Sequence, residues 1–142
     1  MAPGVRPDGV NVLLRDRQNR LLLQFRDGAA PAHPLQWDFF GGSMEKNESP
    51  EHCARRELAE ELGIPAAAGE LQEILALRIE GGMQYYFVYL PAIGWGDFRV
   101  LEGAGCAFFW PADLPQLARL ENVKALAERM AAGTVGFPPQ LE

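Results

Sequence analysis

Residues 49–63, SPEHCARRELAEELG, constrain the fold more than any other stretch of the chain. Ser49 suits a helix N-cap, Pro50 suits the first helical turn, and Gly63 suits the left-handed residue that ends a helix. The spacing predicts a helix from Pro50 to about Leu62. Ala54, Leu58 and Leu62 recur at intervals of four, so one face is apolar and packs on a core. Glu57, Glu60 and Glu61 share a different face. Like charges at that spacing repel, and they lie near the C-terminal end, where the helix dipole disfavours anions. No lysine or arginine follows any of them by four residues. A solvated helix face with scattered ion pairs is the ordinary reading of a charge run, but it leaves this crowding without relief. Positive charge must come from outside the helix. Hard divalent cations, which prefer carboxylate oxygens, are the natural source.

Around this helix the chain reads as strands and one further long helix. GVNVLLRD (Gly9–Asp16) and RLLLQFRD (Arg20–Asp27) predict a strand pair joined at RQN. WDFF (Trp37–Phe40) predicts a short strand running into Gly41-Gly42. Leu71–Glu80 and Met83–Ala92 predict two more strands around a Gly-Gly turn, with shorter ones at FRVLE and CAFFWP. Leu120–Gly133 predicts the second helix, with Leu120, Val123, Leu126, Ala127 and Met130 as its apolar stripe. The expected fold is α/β, a mixed sheet between helices, in one domain spanning residues 1–142 with a loose tail from Thr134.

Bulk properties narrow the function. The 142 residues carry a net charge of −6, which argues against a nucleic-acid polymer as partner. Between Glu45 and Glu61 six glutamates face Lys46, Arg55 and Arg56, so half of that charge sits in one short segment. Small anionic substrates stay compatible, because bound cations reverse the local field. Cys53 and Cys106 form no metal-binding pattern and read as reduced thiols. No apolar run reaches the length of a membrane span, and the N-terminus lacks a signal-peptide core. These features predict a soluble, cytoplasmic protein without a membrane partner. Oligomeric state, a homodimer included, stays open.

The wider spacing is more specific. Gly42, five residues, Glu48, seven residues, Arg56-Glu57-Leu58, one residue, Glu60-Glu61, one residue, Gly63-Ile64 resembles the Nudix box, GX5EX7REUXEEXGU with U aliphatic, and fills every defined position. A chance match at the fixed positions has a probability on the order of 10⁻⁸ per window. The resemblance implies a Nudix α/β/α sandwich and hydrolysis of a nucleoside diphosphate linked to another group, with Mg²⁺ or Mn²⁺ held by the helix glutamates. It implies Glu57, Glu60 and Glu61 as metal ligands, with a carbonyl of Gly41 or Gly42 added. Arg56 matches the family arginine that orients a neighbouring glutamate. Glu48 matches an acid that fixes loop and helix, and Gly63 closes the box. Glu102, shortly before FFWPADL, is the candidate general base from outside the box, with Glu57 as its rival. Phe40 stands where many family members have proline.

Other residues keep two readings each. Arg26 is a candidate phosphate contact or an ordinary surface arginine. Tyr85 and Phe87 share a strand face with Tyr89 and are candidates for stacking a base, or else core. Trp37 and Cys53 read as structural, and His33 as a loop histidine. The box implies the reaction without the substrate. ADP-ribose, dinucleoside polyphosphate, NADH and coenzyme A patterns are not evident outside it. The expectation is a nucleoside triphosphate, oxidised forms included, cleaved to monophosphate and pyrophosphate. Alternatives are another nucleoside diphosphate derivative, such as a sugar nucleotide or ADP-ribose, or a non-catalytic nucleotide-sensing domain.

Overall fold

A computed structural model describes residues 4–30 and 34–141. His33 lies outside the described residues. Strands β1 (Gly9–Leu13) and β2 (Leu21–Phe25) are followed by β3 (Trp37–Asp38), β4 (Phe40–Ser43), helix α1 (Pro50–Leu62), β5 (Leu71–Ile79), β6 (Gly82–Tyr89), β7 (Gly105–Phe109), a short helix α2 (Leu114–Leu117) and α3 (Glu121–Ala131).

Helix α1 forms as its sequence predicts. The Ser49 hydroxyl accepts the His52 N–H, and Gly63 adopts φ 66° and returns its N–H to the last turn. Ala54, Leu58 and Leu62 are wholly buried. Burying each leucine contributes about 1.5–3 kcal/mol, which fixes the face that α1 turns inward.

The strands divide differently from expectation. A four-stranded mixed sheet has the order β4-β1-β6-β5, and a three-stranded sheet has the order β3-β2-β7. β1 runs parallel to β6 and antiparallel to β4. The expected β1–β2 pair therefore meets only near its turn, at an Arg15–Leu21 bridge and the Leu22 N–H to Leu14 carbonyl bond, before the strands part into separate sheets. Both are buried on both faces, and each satisfies its remaining backbone groups with a non-local partner. The WDFF segment changes sheet at Phe39: Trp37-Asp38 pairs with β2, and Phe40 to Ser43 pairs with β1.

Two cores result. Val10, Val12, Leu22, Phe40 and Phe87 pack under α1. Leu13, Leu21, Leu23, Tyr86 and Val88 pack against Val123, Leu126 and Ala127 of α3. The strands thus lie between helices, as the α/β/α expectation required. The FRVLE segment is not a strand. Its backbone caps α1 instead: the Arg99 N–H donates to the Leu62 carbonyl and the Leu101 N–H to the Glu61 carbonyl, two of the groups a helix end leaves unpaired. The tail is tied down rather than loose. The Leu141 N–H bonds the Leu90 carbonyl, the Gln140 amide donates to the Asp16 carbonyl, and Phe137 packs on the α3 core.

Candidate active site

The site begins where β4 lies against α1. Gly41 has φ 144°, and a β-carbon there would run into the Val10 carbonyl. A β-carbon on Gly42 would collide with the Glu57 carboxylate. The two glycines therefore let the glutamate face of α1 close onto β4, with backbone reaching the carboxylates directly.

Glu61 is buried, with 3% of its surface exposed. The Gly41 N–H donates to its Oε1 at 2.8 Å, and the Gln24 amide donates to its Oε2 at 3.2 Å. Burial, reinforced by the charges of Glu57 and Glu102, pushes its pKa up to about 9 against the opposing Gly41 bond. Burial also raises Glu57. Two neighbouring carboxyls raised in this way are relieved when a cation binds between them.

Arg56 organises the outer part. Its Nε and Nη2 grip Glu48 at 2.7 and 2.8 Å. Nη1 donates to Glu57 at 3.1 Å and to Glu60 at 3.3 Å, while Nη2 also reaches the Ser43 carbonyl. The Glu48 side chain is 4% exposed and accepts from the Glu45 N–H besides. The Arg56 guanidinium holds its carboxyl well below the usual range. Glu48 thereby joins the loop at Glu45 to helix α1 at Arg56. Glu60 is the outermost of the three helix acids, with its side chain half exposed. Among the described residues no three His, Cys, Asp or Glu side chains already enclose an ion position, and Arg56 pairs with both Glu57 and Glu60. The donor set nevertheless suits a hard cation: neighbouring carboxylates, both raised by burial, beside glycines that leave the backbone open.

Glu102 is exposed and lines the same cleft. The cleft has a volume of about 1000 Å³ and runs from Gly41, Gly42, Glu61 and Glu102 to a polar wall of Asn11, Asp38, Gln84 and Asn122. Arg26 lies in it and pairs with Asp38 at 3.4 Å. Burial raises Asp38. The Asn122 amide donates to both Asn11 and Asp38 at 2.8 Å.

Tyr85 and Phe87 correct the expectation of base stacking. Their strand face turns toward α1, where Phe87 is core and Tyr85 packs against it, and neither lines the cleft. Cys53 is a buried core thiol whose pKa burial pushes up to about 12. Sequence reasoning missed Gln24, Asp38 and Asn122. The one signal for Gln24 was a lone amide within the aliphatic run LLLQF.

The NUDIX domain family matches residues 5–97. An RNA pyrophosphohydrolase of Saccharophagus degradans is 43% identical over 70 residues, 49% of this chain and 38% of that protein. A CTP pyrophosphohydrolase of Escherichia coli is 42% identical over 55 residues, 39% of this chain and 40% of that protein. The chain spans less than half the length of these curated relatives. Among solved structures, the MutT protein of Methanosarcina mazei superposes with a TM-score of 0.74 at 18% identity, covering 94% of this chain and 98% of its own. The E. coli dihydroneopterin triphosphate pyrophosphohydrolase gives 0.68 at 19%, covering 91% and 97%. These two likenesses establish a common fold. The matched region contains the Gly42–Ile64 segment that builds the carboxylate floor of the cleft, and the chain belongs to the NUDIX domain family.

Proposed function

We propose that the chain is a divalent-metal-dependent hydrolase of phosphoric anhydrides, acting on a nucleoside diphosphate derivative. A nucleoside triphosphate, oxidised forms included, is the substrate class that fits best, cleaved to monophosphate and pyrophosphate. The observation that carries this reading is Glu61, a buried carboxyl pinned at both oxygens in the lining of the cleft. A carboxyl in that setting is poorly explained as a device for stability.

Glu57, Glu60 and Glu61, with a carbonyl of Gly41 or Gly42, are the residues that would hold Mg²⁺ or Mn²⁺. Bound there, the ion would supply charge neutralisation at phosphate oxygens and a more acidic water. The chain's own groups do the remaining work. Gly41 and Gln24 hold Glu61 in place, and Arg56 keeps Glu57 and Glu60 together. Arg26, paired with Asp38, lines the cleft where a phosphate would lie and would add positive charge there. Water adds to phosphorus, the P–O–P anhydride bond breaks, and the water's proton passes to Glu102 or Glu57. Relatives named as pyrophosphohydrolases of RNA and of CTP support an anhydride substrate, and they make a triphosphorylated RNA end a second arm of the test.

The test is a screen of nucleoside triphosphates, nucleoside diphosphate sugars, ADP-ribose and 5′-triphosphorylated oligonucleotide, each with Mg²⁺ or Mn²⁺, reading phosphate and pyrophosphate release. Turnover that needs the ion and falls by orders of magnitude in Glu61→Gln is expected. The melting temperature should also rise with either ion. No release from any compound, together with a melting temperature indifferent to both ions, would refute the proposal.

A further inference from the structure

The turn after β1 buries a second arginine away from the catalytic cleft. Arg15 is 2% exposed. Its Nη1 donates to the Pro138 carbonyl at 2.6 Å, and its guanidinium lies 5.8 Å from the centre of the Phe137 ring. Nε and Nη2 are buried and find no acceptor among the described residues. No Asp or Glu among the described residues comes within ion-pair distance of Arg15. Its sequence neighbour Asp16 is committed to Arg20 at 2.6 Å.

An uncompensated buried guanidinium is among the costlier features a fold can carry, and buried donors are nearly always satisfied. The identity of the two idle nitrogens matters. Nε and Nη2 form one edge of the guanidinium, a planar fork that binds two oxygens of one anion at once. Arg56 uses that same pair to hold the Glu48 carboxylate. Arg15 presents an equivalent fork with no oxygens in it. Beside it lies a cavity that shares no lining residue with the catalytic cleft. Arg15, Arg17, Asn19 and Gln140 supply its polar lining together with Glu70, the one acid there among the described residues. The Glu70 carboxylate accepts the Ala67 N–H at 2.7 Å.

We propose that Arg15 anchors a second ligand site, for a small oxyanion bearing two coplanar acceptor oxygens, a phosphate or a carboxylate. The Nε/Nη2 fork grips the anion, and Arg17 adds positive charge at the cavity wall. The fork lies beneath the Phe137–Leu141 segment, which is fastened through Gln140 to Asp16 and Asn19. The anion enters as that segment shifts, and its binding fastens the segment to the β1–β2 turn.

The test follows the Arg15 Nε–H resonance in the full ¹⁵N-labelled chain, assigned by its loss in Arg15→Lys. Inorganic phosphate and acetate are titrated separately against chloride at constant ionic strength. A saturable shift of that resonance is expected. Response to phosphate alone identifies a phosphate site, to acetate alone a carboxylate site, and to both a general oxyanion site. A resonance unmoved by both anions overturns the proposal. The phosphate-induced rise in melting temperature should be lost in Arg15→Lys, which keeps the charge and removes the fork. An undiminished rise in that variant overturns the proposal too, since binding then lies elsewhere. If Arg15→Lys does not fold, the Nε–H resonance is assigned instead through its correlations to the Arg15 side-chain carbons in the ¹³C,¹⁵N-labelled wild-type chain, and the wild-type titration decides.

Discussion

Replacing Arg56 with methionine removes the positive end of an ion pair that the fold has largely desolvated. The Arg56 side chain is 19% exposed and the Glu48 side chain 4%, so solvent screens neither partner well. The two short fork bonds disappear, along with those to Glu57, Glu60 and the Ser43 carbonyl. Glu48 then keeps the Glu45 N–H and His52 as partners, neither of which replaces the guanidinium. Leaving one member of such a pair costs about 3–5 kcal/mol, a large share of the roughly 5–15 kcal/mol that holds a domain together. With a urea dependence of about 2 kcal/mol per molar, the unfolding midpoint should fall by about 2 M. The double variant Glu48→Gln/Arg56→Met removes both charges and should recover part of the loss, so the two changes are non-additive by about 2–3 kcal/mol. The pH dependence gives a second check. Arg56 depresses the folded-state pKa of Glu48 below its ordinary 4.5, so the pair's contribution is complete above that value and is lost as pH falls below it. The stability gap between wild type and the double variant should therefore shrink from about pH 6 to about pH 3. A loss under about 1 kcal/mol in Arg56→Met, or simple additivity in the cycle, would refute the argument that this pair is buried and coupled.

Three further outcomes are expected. In chelator, the raised pKa of Glu61, about 9 against an ordinary 4.5, means its contribution to stability is complete at low pH and is lost as pH rises toward 9. Glu61→Gln should flatten that decline in urea titrations across the range, and an unchanged slope would assign the proton elsewhere. Gly42→Ala forces the Glu57 carboxylate off its position and should lower kcat/KM by on the order of 10²-fold, with the circular dichroism spectrum retained; wild-type kinetics would show that the contact is immaterial. Gln24→Leu leaves the Phe39 carbonyl and one Glu61 oxygen without a donor and should cost about 1–3 kcal/mol in denaturant melts, with a loss under a few tenths counting against it.

Helix α1 was legible in the sequence because its determinants are local. A serine cap, a proline in the first turn, a glycine at the end and a spacing of four act within one another's reach. The glutamate cluster was legible for the same reason. Strand partnership was not. GVNVL and LLLQF look like a hairpin, yet β1 takes β6 and β4 as neighbours while β2 takes β7 and β3, choices made by surfaces distant in the chain. The alternation of β6 was readable, but which face meets the cleft depends on its parallel pairing with β1, and Tyr85 and Phe87 fell on the helix side. FRVLE has a strand-like composition, and its N–H groups are used at the end of α1 instead. Gln24 and Asn122 gave almost no signal, because a single amide acquires its role only from the carboxyl or carbonyl that folding brings to it. The tail was misjudged for a related reason: Leu141 is anchored at Leu90 and Gln140 at Asp16, residues more than forty positions away.

The crossing of the chain between sheets at Phe39 sets a fixed gauge in the cleft. Asp38, on the polar wall, and Gly41, on the carboxylate floor, are three peptide units apart. Their α-carbons can be separated by no more than about 11 Å. Each end is held by a different sheet, Asp38 through β2 and Gly41 through β1, so the span cannot relax by sliding one strand. The interval between the two ends of the cleft is thus set by covalent backbone rather than by flexible side chains. Inserting one residue between Asp38 and Gly41 would leave every side chain of the site present while resetting that interval, and the selectivity of the cleft for ligand length should change before its chemistry does.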